Sequence, residues 1–209
     1  MAKNIKQEDI KPLAELIGET MEKKHNVTIK IKHDPLAPLP KYAHDGDIGM
    51  DVTAIKVEYD IDMDAYIYHT GIYSESERNV GCFAMARSGN RKTEAFLPNS
   101  VGLIDTFTYR GEICFTFKNR TSIEVIAATY VMFELDRIPW WKRLFVSYID
   151  LWHKKYNELL NDPMQFAPYE VGDRIGQLVF FTHPTVNIEE VDELSETERG
   201  EGGHGSTGK

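Results

Sequence analysis

Residues 51–86 read DVTAIKVEYDIDMDAYIYHTGIYSESERNVGCFAMA, and this stretch decides the fold class. Three short runs, 51–57, 65–72 and 80–86, are rich in Val, Ile, Tyr, Phe and Thr. Breaks carrying Asp, Gly, Ser and Asn separate them. Runs of this length and composition read as strands, and the breaks read as turns. Outward from this stretch the pattern continues. Further β-like runs fall at 112–118 and 175–181, and Val27 to Lys32 (VTIKIK) alternates apolar and polar residues before Pro35, Pro38 and Pro40 break the chain. Many short strands with turn signals predict an all-β sandwich or barrel, not a βαβ fold.

Two segments depart from this pattern. Residues 5–25 carry Ile10, Leu13, Leu16, Ile17 and Met21 at helical spacing, which predicts an N-terminal amphipathic helix. Pro139 to Asp162 contains all three tryptophans and reads as one helix, with Trp141, Leu144, Phe145, Tyr148, Leu151, Trp152, Tyr156 and Leu159 on one face. Pro139 suits a first-turn position and Asp162-Pro163 a stop. This helix is expected to pack on the β core; the sharper alternative is an insertion that binds a protein partner or regulates.

The 209 residues, 42% of them hydrophobic, suffice for one sizeable core. A net charge of −9 argues against tracking a nucleic-acid backbone, which needs a basic face, but leaves room for a small anionic ligand bound by a few arginines and backbone N–H groups. Cys82 and Cys114 each lie in an apolar run and are expected to be buried small hydrophobes. Residues 1–10 lack the apolar stretch of a signal peptide, and there is no run of eighteen apolar residues, so a soluble, cytoplasmic protein (host-intracellular if virus-encoded) without membrane contact is expected. Asp45, Asp47 and Asp51 do not form an EF-hand loop, because the positions that would need Gly and Glu hold Met50 and Lys56.

The end of the sequence, Arg199-Gly-Glu-Gly-Gly-His-Gly-Ser-Thr-Gly-Lys209, points to phosphate. Closely spaced glycines let backbone N–H groups approach an anion, while Arg199, Ser206 and Thr207 add donors. Gly203 to Lys209 matches the start of a P-loop. A P-loop needs a strand before it and a helix after it; an acidic segment precedes here and Lys209 is the last residue.

This tail resembles the last motif of the trimeric dUTPases, and four further motifs of that family stand upstream in order. Gly49-Met50-Asp51-Val52 is similar to the first and Arg87-Ser88-Gly89 to the second. Asn99 to Asp105 with Tyr109-Arg110-Gly111-Glu112 is similar to the third, and Gly172-Asp173-Arg174-Ile175-Gly176-Gln177-Leu178 to the fourth. The resemblance spans residues 49 to 208 and implies a jelly-roll-like β barrel, a homotrimer with active sites at subunit interfaces, and Mg²⁺-assisted hydrolysis of dUTP to dUMP and pyrophosphate. On this reading 1–26 is an N-terminal helical extension, 27–128 and 166–198 form the barrel, 129–165 is a Trp-rich helical insertion, and 199–209 is a mobile lid.

The resemblance also implies roles. Asp105, at the end of an apolar strand where partial burial is expected, would be the base that activates water against the α-phosphorus. Asp51 would hold Mg²⁺ through water, since that ion keeps several waters and takes few protein ligands. Arg87, Ser88, Gly89, Gln177, Arg199, Gly205, Ser206 and Thr207 would bind phosphates. Asn99, Gly102 and Ile104 would read the uracil edge, excluding the thymine methyl and leaving a cytosine amino group unpaired. Tyr109 would pack on deoxyribose, and His204 would stack on uracil. Departures from the family pattern are the three residues Thr106-Phe107-Thr108 where two are usual, Ala86 for a proline, Asn90 and Arg91 for small or apolar residues, and the long gap from Asp105 to Gln177. The alternative enzyme of the same fold is dCTP deaminase, whose members lack the complete tail. The alternative of another class is a regulatory binding protein acting through the 129–165 insertion.

Overall fold

The computed structural model describes residues 27–139 and 147–197. Among the described residues ten strands form: β1 (Lys30–His33), β2 (Met50–Thr53), β3 (Lys56–Asp60), β4 (Ala65–His69), β5 (Ile72–Glu75), β6 (Val80–Ala86), β7 (Ala95–Phe96), β8 (Gly102–Ile104), β9 (Cys114–Asn119) and β10 (Arg174–Thr182). All pairings are antiparallel. One sheet runs β2-β10-β6-β8, a second runs β3-β4-β9-β7, and β1 pairs with β5. This is the all-β core that the strand pattern predicted, of the jelly-roll-like kind that the resemblance implied.

Two runs read as single strands are each two. The first breaks at Ala54-Ile55 between β2 and β3, which belong to different sheets. The second breaks at Thr70-Gly71 between β4 and β5. Gly71 has φ +65, and a Cβ there would lie 2.7 Å from the Ile55 side chain, so the corner needs glycine on both counts.

Strand alternation builds the core. Tyr66 and Tyr68 of β4 and Phe115 and Phe117 of β9 point inward and are fully buried, with Ile175 and Leu178 of β10 opposite. The two tyrosines keep their hydroxyls satisfied by holding the segment that leads into β10. Tyr66 Oη donates to Pro163 O at 2.8 Å and Tyr68 Oη to Tyr169 O at 2.9 Å.

Among the described residues between β9 and β10 lie two α-helices, α1 (Ile123–Asp136) and α2 (Tyr148–Asn161). They replace the single helix expected over Pro139 to Asp162. Ser147 is the N-cap of α2, accepting from Asp150 N at 3.4 Å, so this helix starts at Tyr148, nine residues after Pro139. α1, unforeseen, begins inside the range assigned to the barrel. It buries Ile123, Ala127, Val131 and Leu135, spaced four apart along one face. α2 packs principally against this helix and not on the β core as expected; Lys155 Nζ reaches Glu134 Oε2 at 3.8 Å and Trp152 stacks on Tyr156. The helix expected over residues 5–25, Trp140 and Trp141, and the tail from Arg199 lie outside the described residues. Among the described residues no helix is long and apolar enough to cross a membrane.

Candidate active site

β2 and β10 pair so that Asp51 faces Gln177. The register slips between Arg174 and Gly176: Arg174 faces Thr53, while Gly176 faces Val52. This bulge puts three residues of β10 against two of β2, so Arg174 and Gln177, which simple alternation would place on opposite faces, share the face of Asp51. Arg87 reaches the same point from the end of β6. The Asp51 carboxylate, its side chain only 6% exposed, thus accepts from Arg87 Nε at 2.8 Å, Arg174 Nη1 at 3.0 Å and Gln177 Nε2 at 3.1 Å. Burial by itself would raise the Asp51 pKa, but the Gln177 and Arg87 hydrogen bonds and the charges of Arg87 and Arg174 outweigh it and hold the carboxyl below its ordinary value. Gly49 makes room for this arrangement, since a Cβ there would lie 3.0 Å from Gln177 Oε1.

Arg87, Gly89 and Arg174 line a cavity of about 250 Å³ together with Asn90, Tyr169 and Asp173. Ser88 and Gly89, both exposed, open the short 3-10 turn Ser88–Lys92. Asn90, an unusual residue after this motif, braces the turn: its Nδ2 donates to Ala95 O at 2.8 Å and its Oδ1 accepts from Tyr169 Oη at 2.8 Å. With two guanidinium groups around one carboxylate, the local charge favours an anion. For a cation such as Mg²⁺, three donors on Asp51 leave one of its roughly four acceptor positions, which fits contact through a water and not direct ligation.

A second cavity, of about 360 Å³, is lined by Asn99, Gly102, Ile104, Asp105 and Tyr109, with Glu112 and Cys114 in its wall. The hairpin that leads to β8 turns at Ser100, which has φ 60. Gly102 lies close to β6, where a Cβ would meet that of Ala84 at 3.2 Å. The three residues between Asp105 and Tyr109 are absorbed by a closed turn in which Thr108 N and Tyr109 N both donate to Asp105 O, at 2.9 and 2.8 Å. Thr106 is buried and bonds Val80 O and Ser76 Oγ. Arg110 clasps the turn from outside, donating to the carbonyls of Thr106, Phe107 and Tyr109. Tyr109 Oη donates to Glu112 O at 3.0 Å across Gly111, where a Cβ would lie 2.2 Å from that hydroxyl. Asp105 itself is exposed, so the burial expected from its apolar strand end does not arise within one chain.

One chain therefore sorts the expected residues into two groups. Asp51, Arg87 and Gln177 meet on the β2-β10-β6 sheet, while Asn99, Gly102, Ile104, Asp105 and Tyr109 line a separate cavity. Arg199, His204, Gly205, Ser206 and Thr207 lie outside the described residues. Arg174 and Arg110 were not singled out from the sequence. Arg174 was hidden by the bulge, and its only sequence signal is its place inside the fourth motif. The expectation for the cysteines also needs correction: Cys82 is buried but Cys114 is exposed, at the start of β9.

The family model described as dUTPase matches residues 159–208. The deoxyuridine 5'-triphosphate nucleotidohydrolase of Alkaliphilus metalliredigens (strain QYMF) is 33% identical over 182 residues, covering 86% of this chain and 96% of that protein. The protein of the same name from Clostridium tetani (strain Massachusetts / E88) is 31% identical over 174 residues, 83% of this chain and 90% of that one. Among solved structures, the Staphylococcus bacteriophage 80alpha dUTPase with dUPNHPP aligns with a TM-score of 0.57 at 18% identity. It covers 87% of this chain and 99% of that chain, a likeness of fold.

Proposed function

Because the chain belongs to the dUTPase family, we propose that it hydrolyses dUTP to dUMP and pyrophosphate with the two residue groups described above. The reaction supplies dUMP and limits uracil incorporation into DNA. The observation that carries the reading is the division of labour between the two cavities. One presents guanidinium groups and a glycine turn for phosphates; the other presents a narrow hairpin and a tyrosine for a nucleoside, with a carboxylate at its edge.

In this reading Asp105 takes a proton from the water that attacks the α-phosphorus. The bond from that phosphorus to the bridging oxygen breaks and pyrophosphate leaves. Arg87, Ser88, Gly89 and Gln177 bind the phosphates, joined by Arg199, Gly205, Ser206 and Thr207 of the tail. The Asp51 carboxylate, shared by Arg87 and Arg174, fixes both guanidinium groups. Asn99, Gly102 and Ile104 read the uracil edge, Tyr109 packs on the deoxyribose, and His204 stacks on the base. Mg²⁺, when bound, would supply charge neutralisation of the triphosphate, and Asp51 is the residue that would hold it, through water.

A homotrimer would bring the nucleoside group of one subunit to the phosphate group of the next, and would bury Asp105. Subunit exchange tests this: inactive Asp105→Asn and Asp51→Asn trimers, mixed and re-equilibrated, should regain activity, and no recovery would rule out shared sites. The reaction itself is tested by product. Pyrophosphate released from dUTP supports the assignment; ammonia released from dCTP would reassign the chain to deamination.

A second reading, compatible with activity, is that the α1–α2 insertion binds a protein. It is favoured by the exposed apolar side chains of α1, among them Val125, Tyr130, Met132 and Phe133.

A further inference from the structure

The exposed Cys114 belongs to a cluster that the nucleotide chemistry does not use. His69 ends β4 and Cys114 begins β9, and the two are direct Cα partners across the antiparallel ladder, so their side chains lie on the same face. Glu112, two residues before Cys114, shares that face. The alternation that sends Tyr68 and Phe115 into the core sends His69 and Cys114 to the opposite side of the sheet. Three donor types converge there. Glu112 Oε2 lies 2.8 Å from His69 Nδ1 and Cys114 Sγ lies 3.7 Å from the same nitrogen; one ligand atom from each residue falls within 4.8 Å of the others. Glu112 is itself anchored, its Oε1 accepting from Gly71 N at 2.7 Å.

The other side of the imidazole is equally informative. His69 Nε2 is a buried atom with no hydrogen-bond partner. It faces Glu58 Oε2 of β3 at 3.7 Å, close enough for attraction and too far for a hydrogen bond. A histidine that binds a metal through one ring nitrogen commonly turns its other N–H toward a carboxylate, which fixes the tautomer and raises ligand basicity. Here Nδ1 faces Glu112 and Cys114, and Nε2 faces Glu58.

We propose that His69 Nδ1, Glu112 and Cys114 Sγ form a binding site for a thiophilic divalent cation of the zinc class, with Glu58 orienting the histidine from behind. The mixed N, O and S donor set suits Zn²⁺, which accepts all three and completes a tetrahedron with water. It does not suit Mg²⁺, which takes oxygen ligands in an octahedron, so this site is distinct in chemistry from that of the triphosphate-bound ion. Ligation through Nδ1 would leave the His69 proton on Nε2, on the side of Glu58, and would release the Cys114 thiol proton to solvent. Affinity should therefore weaken as pH falls. Because Glu112 and Cys114 also line the nucleoside cavity, the ion would brace that wall.

Cobalt(II) titration of the full-length protein tests the proposal. One equivalent per chain should produce a near-ultraviolet thiolate-to-cobalt band, bleached by one equivalent of Zn²⁺. Cys114→Ser should abolish the band, and Glu58→Gln should weaken binding by about tenfold, as loss of such a supporting carboxylate does. Absence of the band, or its survival in Cys114→Ser, would overturn the site. A measurement without substitutions runs in parallel: Zn²⁺ should protect Cys114 of the native protein from a thiol reagent, and equal labelling with and without Zn²⁺ would overturn the site as well. Neither readout involves dUTP turnover, so each can fail without touching the enzymatic assignment.

Discussion

Asp51 and Gln177 face each other across the β2–β10 ladder, and Gln177 Nε2 donates to Asp51 Oδ1 at 3.1 Å. Around that pair close Arg87 and Arg174, so one carboxylate aligns two cationic forks from strands far apart in sequence.

Asp51→Asn should lower activity on dUTP by at least about 100-fold, the scale of losing preorganised charge in a site, and should destabilise the fold by about 2 kcal/mol. The depressed folded-state pKa sets the sign of the pH effect. The stability Asp51 contributes is fully present above the ordinary aspartate range, near pH 4, and is lost as pH falls through its lower folded value. Urea denaturation at pH 7 and pH 3 should show the gap between the native protein and Asp51→Asn narrowing at the lower pH.

Asp105→Asn should reduce kcat by about 10²–10⁴-fold, the range for losing a general base, with little loss of stability of the single-chain fold, in which the residue is exposed. Retained turnover would remove Asp105 from the role of base.

Gly111→Ala places a methyl group against Tyr109, whose hydroxyl lies 2.2 Å from the position of the new carbon. The ring must move from the wall of the nucleoside cavity. KM for dUTP should rise more than kcat falls, and discrimination against UTP should weaken; steady-state kinetics on both nucleotides checks this.

Removing residues 199–209 should slow hydrolysis sharply while leaving the oligomer intact. Size-exclusion chromatography alongside a pyrophosphate assay reads both, and an unchanged rate would exclude the tail from the mechanism.

The helical insertion should be separable if the cut is made in the right place. Asn119 Nδ2 donates to Phe166 O at 3.1 Å, so the end of β9 and the segment after α2 lie side by side. Replacing residues 123–161 by a short loop should preserve folding. Deleting 129–165 removes Pro163, whose carbonyl satisfies the buried Tyr66 hydroxyl, and should cost a further 1–3 kcal/mol, roughly the penalty of one orphaned polar group. Thermal unfolding of the two deletions distinguishes them.

Much of this was readable along the chain because its causes are local. Short alternating runs make strands wherever they pair. Ser147 and Asp150 cap a helix from within four residues, although the preceding proline drew the expected start too early. Glycine motifs report on backbone space, and the residue types of the five motifs carry their chemistry with them. α1 escaped notice because its exposed face is nearly as apolar as its buried one: Val125, Tyr130, Met132 and Phe133 blur the periodicity set by Ile123, Ala127, Val131 and Leu135.

By itself, then, the sequence determined the strand-rich class, the order of the motifs and the identity of the chemical groups. Tertiary structure decided which groups meet. Arg174 reaches Asp51 across 123 residues because a bulge reverses its face, and no period along the chain encodes a bulge formed by pairing. His69, Glu112 and Cys114 converge because of one cross-strand register. A shift of one residue would turn them apart, since side chains alternate with a period of two and register is set by the burial of the whole sheet.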